Sequence, residues 1–415
     1  MCLSRFLISL ALFGVAASDA VAAGKLTLRS SEKLAASSPL INAVYLKPTG
    51  GEMLSGAGFS PDNGRTWQAF TAQPDFDSKL PFGYRREPFP LFVDPSNGRV
   101  ISIRNSMDTP GVDPEQIEPP IALETYYLRY RVSTDGGRTY LCDEPIVHRG
   151  GGYTPEHPFD GITKGKNALF MGDCGSRLMR TRAGKILVPA QACVLGNDGK
   201  LANPGGGFTY TNVRVLIGTW QPDHRLQWEA ADPVQVDPSL STRGMIEPTI
   251  AEMPDGRLLM VMRGANGGSK DPDHKIPAYK WFSLSTDGGY HWTPPQPWKY
   301  SDNSPFFSPG SMSQLLAHSN GKTYWIGNIS KENPRGNAPR FPLVAGEVDH
   351  ETMMLKRDSI LVIDDLRPDD NSGVELSPHA ATFEDRETAD LVLPMLRHTG
   401  GYKSSEPYVY RIRTK

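Results

Sequence analysis

Glu247 and Arg263 are the two ionisable residues whose spacing suggests chemistry at a single place. Glu247 opens one apolar, β-rich run, and Arg263 closes the next one after the turn Pro254-Asp255-Gly256. Asp-Gly between two such runs predicts a hairpin, because glycine accepts the positive φ of a tight turn. The hairpin brings a carboxylate and a guanidinium to one end of a largely buried sheet. Such charges are costly unless they pair or face a cavity, so they form either a structural ion pair or part of a functional site.

Turns of this kind recur along the chain, and each separates two β-rich runs. They are Thr49-Gly50-Gly51, Ser96-Asn97-Gly98-Arg99, Arg182-Ala183-Gly184-Lys185, Asp255-Gly256-Arg257, Asn320-Gly321-Lys322 and the less typical Glu384-Asp385-Arg386-Glu387. The composition, with 41 Gly and 36 Pro, also favours an all-β fold. A radial repeat of four-stranded sheets accommodates the uneven spacing through loop insertions.

A second repeated element has the form S-x-D-x-G-x-x-aromatic. Its copies are Ser60–Trp67, Ser133–Tyr140 and Ser285–Trp292. In each copy the Asp side chain can accept backbone N–H bonds, glycine supplies positive φ, and the aromatic ring packs under the turn. This pattern is the Asp-box, and through it the chain resembles the sialidase superfamily of BNR-repeat proteins. The resemblance implies a six-bladed β-propeller in which the boxes join the outer strands of blades.

The repeat also sets the expected boundaries of the blades. They should begin near residues 40, 86, 170, 245, 310 and 375, with a degenerate Asp-box near Gln221-Pro222-Asp223. Arg411-Ile412-Arg413 should form a closing strand beside the N-terminal segment. No linker divides the chain, so we predict one sialidase-like propeller domain over residues 24–415.

Residues 1–23 are typical of a secretory signal peptide, because Arg5 precedes the apolar run Phe6–Ala17 and small residues follow it. An uncleaved anchor is the alternative. We expect a secreted or periplasmic mature chain without a membrane span. The net charge of −2, without a basic stripe, argues against nucleic acid as a partner.

Cysteine usage leaves one pairing open. Cys174 and Cys193 lie almost symmetrically about Ala183-Gly184, so they form either a cross-strand disulfide or two buried thiols. Cys142 has no evident partner. The sequence contains no CxxC motif or Cys/His cluster, so we expect no metal site and no cofactor.

The sialidase resemblance implies three site elements: an arginine triad that binds a carboxylate, a tyrosine nucleophile activated by a glutamate, and an aspartate acid. Glu247 and Arg263, on either side of the Asp255-Gly256-Arg257 turn, match the family's glutamate and second arginine. Arginine suits carboxylate binding, because its planar fork bonds both oxygens and stays charged.

The first arginine of the family lies in an R-I-P motif. Here Arg86 and Pro88 match it, with Glu87 in place of Ile and Arg85 as a neighbouring candidate. The alternative is that Arg86 is a surface residue paired with Glu87.

The acid should lie in the Pro-rich insertion at residues 105–125, where Asp108 is preferred over Asp113 because it is nearer the strand end. It is otherwise a solvated loop carboxylate. A second insertion, residues 148–166, is Gly-rich and carries two His and one Tyr. Both insertions are either the rim of a binding site or ordinary surface loops.

Two family positions are missing. The segment 307–314, where the third arginine should open the fifth blade, contains none, so Arg335 or Arg340 would have to reach in from the following loop. The segment 374–383, where the tyrosine should open the last blade, offers only His379, which is either a proton shuttle or a packing residue. The later tyrosines are Tyr402, Tyr408 and Tyr410.

These residues predict a secreted, sialidase-like glycoside hydrolase acting on an acidic glycan, either sialic-acid-like or uronate. The expected catalytic residues are Glu247, Asp108 and His379, and the expected substrate-binding residues are Arg85, Arg86 and Arg263. The alternatives are a glycan-binding propeller without catalysis, a polysaccharide lyase on the same scaffold, and a structural or protein-binding propeller.

Overall fold

Six antiparallel sheets of four or five strands surround one axial channel in the computed structural model. The model describes residues 25–56, 58–117, 121–172, 176–377, 381–400 and 404–414. Residues from all six sheets line the channel, which has a volume of about 470 Å³. This arrangement is a six-bladed β-propeller, as predicted. The predicted signal peptide, Cys174, His379 and Tyr402 lie outside the described residues.

The N-terminal half of the chain forms the first three blades. It begins with β1 (Thr27–Lys33), which belongs to the last blade, and a 3₁₀ turn at Pro39–Asn42. Blade 1 contains β2 (Val44–Tyr45), β3 (Met53–Ser55), β4 (Gly58–Ser60) and β5 (Gln68–Ala69). Blade 2 contains β6 (Tyr84–Pro88), β7 (Phe92–Val93), β8 (Val100–Asp108), the short helices α1 (Pro114–Ile117) and α2 (Ala122–Thr125), β9 (Tyr127–Ser133) and β10 (Cys142–Pro145). Blade 3 contains β11 (Leu169–Phe170), β12 (Met179–Arg180), β13 (Ile186–Cys193), β14 (Thr211–Trp220) and β15 (Leu226–Ala230).

The C-terminal half forms the other three blades. Blade 4 contains β16 (Ile246–Glu252), β17 (Leu258–Arg263), β18 (Lys280–Ser285) and β19 (Gln296–Pro297). Blade 5 contains β20 (Gln314–Ala317), β21 (Thr323–Asn328), β22 (Leu343–Val348), a 3₁₀ turn at Arg357–Ser359 and β23 (Leu361–Asp364). Blade 6 contains β24 (Phe383–Glu384), β25 (Leu391–His398) and β26 (Ser405–Arg413). Among the described residues, no helix has the length and apolar character needed to cross a membrane.

The ring closes through the two ends of the chain. Strand β1 pairs with β26 in antiparallel register, with Thr27 opposite Arg413 and Lys33 opposite Tyr408. The predicted closing strand is therefore confirmed. An N-terminal strand completes the last blade, which ties the first and last segments together and leaves no gap in the ring.

The three Asp-boxes join the third and fourth strands of blades 1, 2 and 4. In the first box the Ser60 hydroxyl accepts the Gly64 N–H at 2.9 Å, and Asp62 accepts the Thr66 N–H at 2.8 Å. The Trp67 indole N–H donates to the Gly64 carbonyl at 3.0 Å. The Gln221-Pro222-Asp223 segment occupies the same place in blade 3, but there Asp223 accepts the backbone N–H of Arg225 at 3.1 Å and its Nη1 at 3.4 Å.

The six predicted turns join the first and second strands of the blades. Because neighbouring strands run in opposite directions, these turns and the Asp-boxes lie at one end of the propeller. The opposite end, here called the mouth, receives the other connections. Both predicted insertions, residues 105–125 and 148–166, lie at the mouth.

Apolar side chains fill the space between neighbouring blades. Between blades 4 and 5 the Trp298 and Trp325 rings are fully buried, with centroids 5.4 Å apart in an edge-to-face contact. Burying a large side chain stabilises a fold by about 1.5–3 kcal/mol. Such packing holds the blades rigidly and gives the mouth residues fixed supports.

Of the two alternatives for Cys193, the disulfide and the buried thiol, the structure has the free, buried thiol. The backbone N–H of Cys193 donates to the Ala168 carbonyl at 2.9 Å. The first strand of blade 3 is split into β11 and β12, which pair with different parts of β13. Equal spacing from the Ala183-Gly184 turn therefore does not place two residues opposite each other beyond this break. Burial raises the pKa of Cys193 to about 12, which keeps it protonated.

Candidate functional site

A cavity of about 540 Å³ opens at the mouth. Its wall brings together side chains from blades 2, 3 and 4. The polar members are Glu87, Asn105, Gln191, Thr209, Arg243 and Glu247, and the apolar members include Phe89, Leu123, Phe170 and Phe208. Ligand sites in proteins commonly combine these features: a concave, mostly apolar surface with a few convergent polar groups.

Glu247 occupies an unusual backbone position in this wall. The register of β16 against β17 shifts between Ile246 and Thr249, and Glu247 has a φ of 48°. A left-handed conformation costs a non-glycine residue roughly 1–2 kcal/mol, so the surroundings must impose it. The Gln191 side chain accepts the Glu247 N–H at 2.8 Å, and a Cβ at Gly172 would lie 2.6 Å from Glu247 Cγ. Blade 3 thus holds the glutamate in a β-bulge, a feature that often re-aims a side chain beside a site.

Arg263 pairs with Glu247 as the hairpin predicted. Its Nη1 donates to Glu247 Oε1 at 2.6 Å, and its Nη2 donates to Asn337 Oδ1 at 2.9 Å. Both side chains are buried, with exposed fractions of 5% and 8%. Within the described residues, Glu247 Oε2 and Arg263 Nε are buried without a hydrogen-bond partner. Such groups cost free energy unless something else satisfies them, so the hydrogen bonding of this ion pair is incomplete within the described residues.

Two loops at the mouth fix the position of Asn337. The Asn266 amide nitrogen donates to the carbonyls of Ile276 and Pro334, at 3.0 and 2.9 Å. Its oxygen accepts the Gly336 N–H at 2.8 Å. Asn266 therefore joins the blade 4 loop to the blade 5 loop at Gly336, the residue immediately before Asn337.

Arg340 reaches the start of blade 5, the segment in which the sequence lacks the expected arginine. Its guanidinium donates to the Gly310 carbonyl at 3.0 Å and to Glu375 at 2.9 Å. The side chain is 5% exposed, although it comes from the following loop. Arg335, the other residue considered for this place, is exposed.

Arg243 is the cavity arginine that sequence reasoning did not select. It donates to the Thr209 hydroxyl at 3.0 Å, and its guanidinium lies 5.7 Å from the centre of the Phe208 ring. Within the described residues it forms no ion pair. Burial lowers the pKa of Arg243 to about 10, and the charges of Arg263 and Arg340 add to this effect. The one available signal was its position four residues before Glu247.

Lys280 adds a further cation beneath the site. It lies directly opposite Arg263 in the β17–β18 register, is fully buried, and donates to the Ser311 carbonyl. Burial and the Arg263 charge together lower the pKa of Lys280 to about 7, so it is only partly charged at neutral pH. The three arginines and this lysine still give an excess of positive charge over Glu247 and Glu375, which favours an anionic ligand.

Asp108 and Arg86 belong to a separate ion cluster. Arg86 donates to Asp108 Oδ1 at 2.6 Å, while Tyr127 and Lys164 donate to Oδ2 at 2.7 and 2.8 Å. Burial alone would raise the pKa of Asp108, but the hydrogen bonds from Lys164 and Tyr127 and the Arg86 charge hold it below its ordinary value. A carboxyl group kept ionised in this way is poorly suited to donate a proton.

The residues next to Arg86 face the other side of β6. Arg85 pairs with Glu115 at 3.0 Å and bonds to the Tyr126 hydroxyl, which donates to Glu87 at 3.0 Å. Glu87, the residue in place of the family isoleucine, lines the cavity, whereas Arg85 and Arg86 do not. The alternative pairing of Arg86 with Glu87 is therefore wrong, because successive strand residues point to opposite faces.

Comparison with known proteins places this architecture in a family. Residues 120–354 match the BNR repeat-like domain. The chain belongs to the BNR repeat-like family. No curated protein matches the sequence significantly.

Several solved structures share the fold of this BNR propeller. A protein of unknown function from Dyadobacter fermentans superimposes with a TM-score of 0.52 at 16% identity, over 88% of this chain and 84% of that one. The Trypanosoma rangeli sialidase gives 0.51 at 15% identity, over 85% of this chain and 48% of that one. The intramolecular trans-sialidase from Ruminococcus gnavus gives 0.51 at 14% identity, over 85% and 86%. At these identities the likeness shows the fold alone, and this chain spans about half of the trypanosomal one.

The remaining predicted residues of the BNR propeller do not reach Glu247 in the described structure. The Tyr408 hydroxyl accepts from Arg367 at 2.8 Å, and the Tyr410 hydroxyl donates to Asp364 at 2.6 Å, so both tyrosines bond to the end of blade 5. Among the described residues, no tyrosine hydroxyl bonds to Glu247. His379 and Tyr402 lie outside these residues.

Proposed function

We propose that this BNR propeller hydrolyses a glycosidic bond in an acidic glycan bound at its mouth. The observation that carries the proposal is the state of Glu247: a buried, left-handed residue in a β-bulge, with one carboxylate oxygen lacking a partner in the described residues. Backbone strain of this kind clusters at active sites. The cavity beside it, about 540 Å³, falls within the range of small-molecule sites.

The charges around the cavity favour a ligand that carries a carboxylate. Arg243 lies in the wall without an ion pair among the described residues. A sugar carboxylate beside Arg243 would supply a negatively charged partner for its guanidinium. It would also reduce the repulsion among the buried cations. A sialic-acid-like or uronate sugar has this chemistry.

Glu87 provides a second carboxylate in the same cavity wall. Glycosidases generally use two carboxyl groups, one to protonate the leaving oxygen and one to activate water or attack the sugar. Glu87 accepts from Tyr126 at 3.0 Å, and its side chain is 44% exposed, so it can exchange protons with solvent. Glu247 accepts from Arg263 at 2.6 Å, which suits it to the role of the carboxylate that activates water.

In the proposed step, Glu87 gives a proton to the glycosidic oxygen as the bond from that oxygen to the anomeric carbon breaks. Glu247 takes a proton from water as the water oxygen bonds to the anomeric carbon. The reaction consumes one water molecule and needs no tyrosine nucleophile. Proton transfer by such a positioned group contributes about 10²–10⁴-fold to rate.

Glu247→Gln tests the proposal on a panel of sialylated and uronate-containing glycans. We expect the wild-type protein to release a carboxylated sugar and Glu247→Gln to lose at least about 100-fold in kcat. Glu252→Gln is the matched control, because Glu252 lies on the same strand but bonds to the Arg182 N–H at the other end. Unchanged activity in Glu247→Gln would falsify the assignment, and unsaturated, ultraviolet-absorbing products would show lyase chemistry instead.

The second candidate is a glycan-binding propeller without catalysis. It is favoured by the lack of a tyrosine hydroxyl beside Glu247 in the described residues. Tight calorimetric binding of an intact acidic glycan, with no product after long incubation, would support this candidate over the hydrolase.

A further inference from the structure

Phe208 is an exposed aromatic residue in the wall of the mouth cavity. Its exposed fraction is 61%, and it shares the cavity with Arg243 and Glu247. Single exposed aromatic residues are common on protein surfaces and usually have no function. The way the chain holds Phe208 distinguishes it from such a residue.

Three consecutive glycines precede Phe208, yet the segment is tightly packed. A Cβ would lie 2.0 Å from the Thr242 carbonyl at Gly205, 2.1 Å from Ser269 Oγ at Gly206 and 2.6 Å from Arg243 Cγ at Gly207. Gly205 is therefore required by a close backbone approach, whereas Gly206 and Gly207 leave room for the Ser269 and Arg243 side chains.

Hydrogen bonds complete the fixation of this segment. The Ser269 N–H donates to the Gly206 carbonyl at 2.8 Å, and the Asn203 amide donates to the Gly207 carbonyl at 2.5 Å. The segment is thereby fastened both to the blade 4 loop and to its own beginning. Phe208 is presented to the cavity by a backbone that is already ordered before any ligand binds.

We propose that Phe208 is a stacking platform for a second sugar ring, next to the carboxylated sugar held by Arg243 and Glu247. This inference rests on the proposed function, because that function places the first sugar. It assigns the ligand to acidic oligosaccharides rather than to isolated acidic monosaccharides. The C–H bonds on one face of a pyranose ring carry partial positive charge, and the face of an aromatic ring is negative. An ordered platform also lowers the entropy lost on binding.

Calorimetric titrations of four probes test the platform. The monosaccharides are galacturonic acid and N-acetylneuraminic acid, and the matched longer probes are trigalacturonic acid and 3′-sialyllactose. Phe208→Ala should weaken binding of the longer member of the productive pair by about 5-fold, as expected for one lost aromatic contact, and leave its monosaccharide within about 2-fold. Phe208→Tyr should retain the wild-type affinity for both.

Phe82→Ala is the matched control, because Phe82 is 68% exposed and is not part of the cavity wall. It should bind every probe as the wild type does. Equal losses on short and long probes in Phe208→Ala, or no loss on either, would overturn the platform while leaving the proposed function intact. Failure of the wild-type protein to bind any probe would overturn the proposed function and the platform together.

Discussion

Two arginine–carboxylate pairs at the mouth have the same contact distance but different surroundings. Arg263 lies 2.6 Å from Glu247, and Arg86 lies 2.6 Å from Asp108. Both oxygens of Asp108 accept hydrogen bonds, because Tyr127 and Lys164 complete the cluster. Only Oε1 of Glu247 is engaged in the described residues. The distance within a pair therefore does not reveal its role, whereas the state of the second oxygen does.

The backbone shows the same contrast. Asp108 lies in regular register with Tyr84 at the end of β8, whereas Glu247 lies in a bulge with positive φ. Regular pairing and full hydrogen bonding indicate that the Asp108 cluster stabilises the two insertions at the mouth. Irregular backbone and incomplete hydrogen bonding indicate that the Glu247 site keeps capacity for a ligand.

The largest expected effect is a difference in stability between variants of the two carboxylates, Asp108 and Glu247. Asp108→Asn removes the charge that balances two bonded cations, Arg86 and Lys164, so we expect the free energy of unfolding to fall by about 2–4 kcal/mol. Glu247→Gln removes the charge that balances one bonded cation, Arg263, and should cost less, about 1–2 kcal/mol. Urea denaturation measures both. Equal losses in the two variants would mean that Glu247 is as structural as Asp108.

The fold could be predicted because its signals are local. An Asp-box forms its hydrogen bonds within eight residues, as Ser60–Trp67 does, so its sequence alone specifies the turn. The Glu247–Arg263 contact is also local, since one hairpin creates it. Each of these features depends on neighbouring residues and not on how the blades are arranged.

The rest of the site depends on packing between blades. Arg243, Arg340 and Phe208 come from three different connections, and only the closed ring brings them to one mouth. Whether Arg86 or Glu87 faces the cavity depends on a single step along β6, because side chains alternate between the faces of a strand. A one-residue difference in register is beyond what the R-I-P resemblance could specify.

The pH dependence of stability tests whether the Glu247 site carries an excess of positive charge, because Lys280 titrates there. Its pKa falls from an ordinary 10.5 to about 7 in the folded protein, so the unfolded chain binds more protons between these values. The stability of the wild type relative to Lys280→Met should therefore rise with pH from about 7 to about 10, by up to ~1.4 kcal/mol per pH unit. Urea denaturation across this range measures the difference.

Lys356→Met is the control for this titration. A hydrogen bond to Glu347 raises the pKa of Lys356, so its stabilising contribution persists until the pH exceeds the ordinary lysine value. The difference between the wild type and Lys356→Met should stay flat from pH 7 to 9. A flat difference for Lys280→Met as well would show that the ammonium is not destabilised, and that the mouth carries no surplus of charge.

The smallest expected effect is on ligand binding by Arg243, a cation for which the Asp108 cluster has no equivalent. Arg243→Met should weaken binding of an acidic sugar by about 10-fold, because it removes one charge-assisted hydrogen-bond donor. It should leave the unliganded protein equally stable or slightly more so, because Arg243 forms no ion pair in the described residues and is repelled by Arg263 and Arg340.

Arg335→Met, at an exposed arginine, is the control and should change neither the affinity for the sugar nor the stability. Calorimetry and urea denaturation on the same samples separate the two effects. Weaker binding that comes with a loss of stability would assign Arg243 to the framework and would make the mouth a structural cluster like that of Asp108.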